Sequence, residues 1–184
     1  MKRSATVIVF LALSLCASAQ KLGVSTNLCQ WGFLGTANAE LEYSVAQHFS
    51  VMAGGRYNPF SFTKKTGRDL YEHQVCGYAG FRYWPWYTYS GMWISAKAQY
   101  RSFEETGLWR HALEDATGVG AGLGFGYARM ITRHLNLDLG LGVWAGRYLD
   151  YTLYRCSCCM VVRDSGPRMF AAIDDVKVGL SYIF

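Results

Sequence analysis

Leu135-Asn136-Leu137-Asp138-Leu139-Gly140-Leu141-Gly142-Val143 places an apolar residue at every odd position and a polar or small one between. Successive strand side chains point to opposite faces, so a strict period of two makes a two-faced strand. A helix would need a period near 3.6. Ala37, Ala39, Leu41, Tyr43 and Val45 alternate in the same way with Asn38, Glu40, Glu42 and Ser44. So do Val176, Val178, Leu180, Tyr182 and Phe184, which end the chain.

Extending outward from these runs, the pattern predicts eight strands: Lys21–Leu28, Ala37–Val45, Phe49–Pro59, Gln74–Trp84, Gly91–Arg101, Thr117–Ala128, Leu135–Tyr148 and Val176–Phe184. Most have about the 9–11 residues that a tilted membrane strand needs. Gln47-His48, Pro85–Ser90 and Arg129–His134 are short connections. Cys29–Thr36 is of medium length, and Phe60–His73, Ser102–Ala116 and Leu149–Asp175 are long. Short and long connections alternate, as in outer-membrane barrels with tight periplasmic turns and longer extracellular loops. The expected fold is all-β: an eight-stranded antiparallel up-and-down transmembrane β-barrel, with both termini periplasmic.

Lys2 and Arg3 precede the apolar run Val7–Leu15 and then Ala17-Ser18-Ala19. That order reads as a secretory signal peptide over residues 1–19, leaving residues 20–184 as the barrel domain. The run is shorter than the roughly 20 apolar residues a membrane helix requires. Leu15 is too bulky for the usual lipidation signal before Cys16. The net charge of +5 falls to +3 once Lys2 and Arg3 are removed. That charge is too weak and too evenly spread to indicate nucleic acid. Five cysteines remain (Cys29, Cys76, Cys156, Cys158 and Cys159), a usage that fits an oxidising compartment.

Alternation does not say which face is outside. A soluble lipophile-binding barrel would carry the same stripe turned inward around its ligand. Three features favour the membrane. Tyr83, Trp84, Trp86, Tyr87, Tyr89 and Trp93 crowd one short turn, as an interfacial girdle would. The terminal Leu180-Ser181-Tyr182-Ile183-Phe184 resembles the signal that barrel-assembly machinery reads on outer-membrane proteins. Gly118, Gly120, Gly122, Gly124 and Gly126 all share the non-apolar face of one strand, where a narrow lumen needs room.

With the apolar parity outward, the other parity supplies a lumen polar network of Glu40, Glu42, Arg56, Arg82, Lys97, Arg101, Asp138 and Lys177. Central strand segments carry no charge on the outward parity, where Arg or Lys would cost about 2–4 kcal/mol in lipid. Eight strands enclose little more than their own side chains, so these charges must pair or be hydrated. The width favours a structural plug over an ion path. The glycines of the sixth strand, with Gly140, Gly142 and Gly146 beside them, form a floor on which Tyr78, Arg82, Trp84 or Trp144 can lie.

Lys21…Thr26-Asn27-Leu28, Glu42-Tyr43, His48-Phe49-Ser50-Val51, Tyr57-Asn58-Pro59 and Arg82-Tyr83-Trp84-Pro85 follow one another in order. Gly118…Gly122…Gly126-Tyr127, His134-Leu135-Asn136-Leu137 and Tyr148-Leu149-Asp150-Tyr151 continue the series. Together they resemble the domain of unknown function numbered 3575, common in Bacteroidetes. The resemblance implies a small outer-membrane barrel whose genes often lie near fimbrial or other envelope genes. It implies no catalytic residues.

Cys156-Ser157-Cys158-Cys159 has poor spacing for tetrahedral zinc. A disulfide cluster is favoured, and Cys29 is an available partner for one of the three, because strand eight closes on strand one and brings their loops together. Such a bridge stabilises by about 2–4 kcal/mol in the chain-entropy view. Free thiols are the first alternative and a metal site the second. Cys76 falls on the lumen parity and reads as a small buried residue. His48 and His134 read as turn residues, whereas His73 and His111 lie at the outer rim. An outer-leaflet lipid-modifying enzyme needs a histidine, a nucleophilic serine and a carboxylate together. Ser61 and Ser102 are available beside Glu104, Glu105, Glu114 and Asp115, but spacing along the chain enforces no convergence. No catalytic, cofactor-binding or metal residue is therefore assigned. Lys64, Lys65 and Arg68 make one long loop basic, suited to lipopolysaccharide phosphates.

The expected protein is a monomer with a structural or adhesive cell-surface role, linked to fimbrial or envelope assembly and without an open pore. Its expected partners are outer-membrane lipid, lipopolysaccharide, the barrel-assembly machinery and a surface protein. The alternatives are a lipid-modifying enzyme and a soluble periplasmic lipophile carrier.

Overall fold

The structure, a computed structural model, describes residues 21–32, 35–63, 69–106, 113–155 and 161–184. The expected leader, His111, and Cys156, Cys158 and Cys159 lie outside the described residues. The strands are β1 (Leu22–Asn27), β2 (Ala37–Ala46), β3 (Phe49–Asn58), β4 (Ser61–Thr63) and β5 (Asp69–Tyr83). They continue as β6 (Gly91–Thr106), β7 (Leu113–Met130), β8 (Leu135–Tyr154), β9 (Val162–Ser165) and β10 (Met169–Ile183). One helical turn, α1 (Leu28–Gly32), follows β1.

β1, β2, β3, β5, β6, β7, β8 and β10 each pair antiparallel with the next, and β10 pairs back onto β1. The sheet closes into an eight-stranded up-and-down barrel, as the alternation predicts. Closure matters energetically, since it leaves no edge strand with unpaired backbone groups around the wall. β4 lies beside β5, and β9 beside β8, off the barrel path at the loop end.

The apolar parity faces outward. Leu41, Val51, Phe81, Ile94, Leu123, Phe125, Leu141 and Val143 are 45–62% exposed. Leu137 and Val178 alternate with buried Asn136, Asp138, Lys177 and Gly179, so they too point away from the axis. The polar parity fills the interior.

Two expectations are corrected. The first concerns length: β6 runs on to Thr106, β7 begins at Leu113, β8 reaches Tyr154, and β10 begins at Met169. Much of the long connections predicted over Phe60–His73, Ser102–Ala116 and Leu149–Asp175 is thus hairpin arm. An aromatic cluster inside the loop end holds these arms together, with Phe103, Ala116, Tyr148 and Tyr151 buried and Phe170 against them. Tyr148 and Phe170 stack with centroids 4.2 Å apart.

The second concerns the aromatic girdle. Tyr83, Trp86 and Tyr87 are exposed as a girdle requires, but Trp84, Tyr89 and Trp93 are buried and plug the turn end of the barrel with Ala128 and Ile183. Tyr89 adopts a left-handed φ of 66°, uncommon for a residue with a side chain. Its hydroxyl donates to the Lys21 carbonyl at 2.8 Å, which ties the turn to the first strand. Arg147 is exposed on the outward parity of β8 at its loop end, between Val119 and Met169 and beyond the central segments expected to be free of outward charge.

Candidate functional site: a charged barrel interior and a polar rim

All eight residues expected in the lumen face inward, and they form two ion-pair groups. Near the turn end, Arg82 lies between Glu40, at 3.0 Å, and Glu42. Its guanidinium carbon stacks 4.3 Å from the Trp93 ring centroid and 5.6 Å from that of Trp84. Lys177 reaches Glu40 at 2.8 Å and Asp138 at 3.7 Å. Hydroxyls reach all three carboxylates, although Asp138 Oδ1 stays buried without a partner among the described residues. Tyr78 donates to Glu40 at 2.9 Å, Ser181 donates to Asp138 at 2.7 Å, and Ser50 donates to Glu42. Trp84 Nε1 in turn donates to Ser50 Oγ at 2.9 Å.

Nearer the loop end, Arg56 pairs with Asp174 at 3.1 Å and with Asp175 at 3.5 Å, and Lys97 pairs with Asp174 at 2.5 Å. Gln99 donates to Asp174 at 2.9 Å, and Asn27 donates to Asp175 at 2.8 Å. Arg101 reaches Glu105 at 3.6 Å and lies over the Phe103 ring. Burial raises the Glu105 carboxyl above its usual range; Arg101 opposes that rise and Glu114 adds to it.

Asp174 and Asp175 are the interior residues that the period-two reading missed. A register shift between Ile173 and Asp175 marks a β-bulge in β10. A bulge inserts an extra residue, so two neighbours in sequence can share one face. Here Ile173 and Val176 stay exposed while both carboxylates turn inward. The bulge also removes a charge deficit. In the regular pattern Glu40, Glu42 and Asp138 serve Arg82 and Lys177, and Glu105 serves Arg101, whereas Arg56 and Lys97 are left without a carboxylate. Asp174 and Asp175 supply the partners of those two cations, as a low-dielectric interior demands.

The glycine floor has specific occupants. A Cβ on Gly126 would lie 2.4 Å from the Trp93 ring, and one on Gly140 would lie 2.7 Å from it. Gly118 faces the Tyr148 ring at 2.9 Å and Gly122 faces Lys97 at 3.0 Å. Gly120 instead meets the backbone of β8, 2.4 Å from the Ala145 carbonyl. The main ring over the floor is therefore Trp93, which its outward assignment had concealed. A cavity of about 20 Å³ remains between Glu40, Arg82, Trp93 and Lys177, room for about one water.

Cys76 is buried, as expected, and Cys29 is exposed and makes no disulfide among the described residues.

On the outer surface at the loop end, the strand register assembles a second polar group. His73 opposes Glu104, Ser102 opposes Thr117, and Glu104 opposes Asp115. His73 Nδ1 lies 3.9 Å from Glu104 Oε2, and the Ser102 and Thr117 hydroxyls are 3.1 Å apart. A cleft of about 430 Å³ includes His73, Ser102, Glu104 and Asp115 with Tyr57 and Val75.

A closed antiparallel barrel with a greasy exterior and an ion-paired, ring-plugged interior defines the class to which this chain belongs. Within that class, the chain is a member of the DUF3575 family of proteins of unknown function, whose match covers residues 5–184. No curated protein sequence matches it.

Proposed function

We propose that this protein is a monomeric outer-membrane barrel without an open pore. It serves a structural or adhesive role at the cell surface, in fimbrial or envelope assembly. The observation that carries this reading is the outer belt. From Leu135 to Ala145 the outward side chains of β8 are uncharged, and Arg147 is the first charged one. Ten residues of a strand tilted by about 40° rise about 25 Å, the height of the apolar band of an outer-membrane barrel. A water-soluble monomer rarely exposes apolar patches beyond a few hundred Å². The polar, filled interior argues against a lipophile carrier, which needs an apolar cavity.

In this arrangement the turns Gln47-His48, Pro85–Ser90 and Arg129–His134 face the periplasm, with both termini. The arms of β5–β8 rise above lipid, where they offer an adhesive surface to a protein partner. Arg147 meets the lipopolysaccharide phosphates. The barrel-assembly machinery reads the terminal strand ending in Phe184.

With the native cysteines replaced by serine, cysteines introduced singly between residues 60 and 73 should react with a membrane-impermeant maleimide on intact cells, and cysteines in Arg129–His134 should not. The purified barrel should give no steady channel in a planar bilayer, because Arg82 and Trp93 fill its cross-section. Labelling confined to the short turns would reverse the orientation, and steady openings would refute the plug.

A further inference from the structure

We infer that the outer cleft at the loop end is an ester-hydrolysing site, with Ser102 as nucleophile, His73 as general base and Glu104 as the carboxylate orienting that base. Its substrates are acyl esters of outer-leaflet lipids. The inference rests on the outer-membrane reading and adds an activity to it.

Chain spacing does not bring these residues together, since His73 and Ser102 are 29 positions apart. Register does. Glu104 opposes His73, and Ser102 opposes Val75, on the same outward face of β5 and β6. Ser102 and His73 are therefore diagonal neighbours, with Cβ atoms about 7 Å apart or somewhat less. An imidazole and a hydroxymethyl group together span that gap. Glu104 addresses Nδ1 of His73, at 3.9 Å, the nitrogen an orienting carboxylate holds when Nε2 serves the hydroxyl. Such contacts are often long before substrate arrives. The Thr117 hydroxyl, 3.1 Å from Ser102 Oγ, supplies a donor for charge developing on a carbonyl oxygen beside the nucleophile.

The cleft is also placed for a lipid. Its apolar side, Tyr57 and Val75, continues into exposed Tyr100 and Val119 of the outer belt. Its polar side carries Glu104 and Asp115, where the belt ends. An acyl chain lying along the belt sets its ester at the level of Ser102. His73 and Glu104 side chains are 41% and 42% exposed, so a substrate in the surrounding leaflet can reach them.

The chemistry balances without an outside oxidant or cofactor. Ser102 Oγ attacks the ester carbonyl carbon while His73 Nε2 takes the hydroxyl proton. Collapse breaks the ester C–O bond, and that proton passes to the departing alcohol oxygen, leaving an acyl-serine. Water, deprotonated by His73, then attacks the acyl carbon. A free fatty acid leaves, and the proton returns to Ser102.

The test uses the mature chain refolded in detergent, with heat-modifiable migration as an independent measure of the barrel. Two probes are applied: a fluorophosphonate, read by intact mass and peptide mapping, and mixed vesicles of phosphatidylethanolamine and hexa-acylated lipid A, read by released fatty acid. The wild type should gain one adduct, on Ser102, and release fatty acid. Ser102→Ala should lose the adduct and all release above background, and Glu104→Gln should lose about 100-fold or more, both with unchanged migration. A heat-modifiable wild type that takes no adduct on Ser102, or that releases no acid, overturns the inference alone. Equal release from Ser102→Ala also overturns it. A wild-type chain without heat-modifiable migration overturns the membrane reading and this one together.

Discussion

Arg82→Leu should lower the stability of the refolded barrel by about 3–5 kcal/mol, the cost of leaving a buried carboxylate without its partner. Arg82 touches both Glu40 and Glu42, and its side chain is 2% exposed. Lys177 continues to neutralise Glu40 in the variant, so Glu42 carries most of the loss. The guanidinium also fills the space between Trp84 and Trp93, and an aliphatic side chain leaves that stacking unmade. Equilibrium urea unfolding in micelles, followed by tryptophan fluorescence, measures the difference. Arg163→Leu, at an exposed position of β9, is the control and should shift stability by about 0.5 kcal/mol or less. Equal midpoints for the two variants would mean that the interior charges do not act as a satisfied set.

The second large effect separates two glycines four residues apart on the same face of β7. Gly126→Val should cost about 3 kcal/mol, at the upper end of overpacking, and reduce the folded fraction on a heat-modifiable gel. Its Cβ would meet the Leu139 carbonyl at 2.2 Å and the Trp93 ring at 2.4 Å, one in the backbone and the other wedged in the plug. Gly122→Ala should cost less than about 1 kcal/mol. Its nearest neighbours are the aliphatic stem atoms of Lys97 at 3.0 and 3.1 Å, which need give only by a few tenths of an ångström, and the first backbone atom is 3.4 Å away. Alanine also loses less chain entropy on folding than glycine does, which offsets part of that cost. If Gly126→Val folded as well as Gly122→Ala, the floor would not be fitted to Trp93.

These residues also show what the chain discloses on its own. Strand parity is nearly deterministic, so Glu40, Glu42, Arg56, Arg82, Lys97, Arg101, Asp138 and Lys177 are all legible as interior from the sequence. Asp174 and Asp175 were not, because a bulge breaks the period on which the reading depends. Their trace in the sequence was indirect, in the two unmatched cations of the regular pattern. Trp93 was legible but misread. It shares parity with Ser95 and Lys97, which assigns it to the interior, whereas its place beside a turn suggested the girdle. The arms of β6 and β7 carry no apolar alternation beyond the belt, although Leu149, Tyr151 and Leu153 continue one in β8, and aromatic contacts such as Phe103 with Tyr148 hold the arms together. The meeting of His73, Ser102 and Glu104 depends on register across two strands, which local pattern does not encode.

The facing of the belt decides most. Spin labels placed singly at Leu123, Phe125 and Leu141 in bilayer-reconstituted protein report it through collisions with oxygen, which concentrates in hydrocarbon, and with a water-soluble nickel chelate. The account predicts high oxygen access and negligible nickel access at all three positions. Strong nickel access there, in a barrel that still migrates as folded, would mean that water and not lipid covers the outer wall.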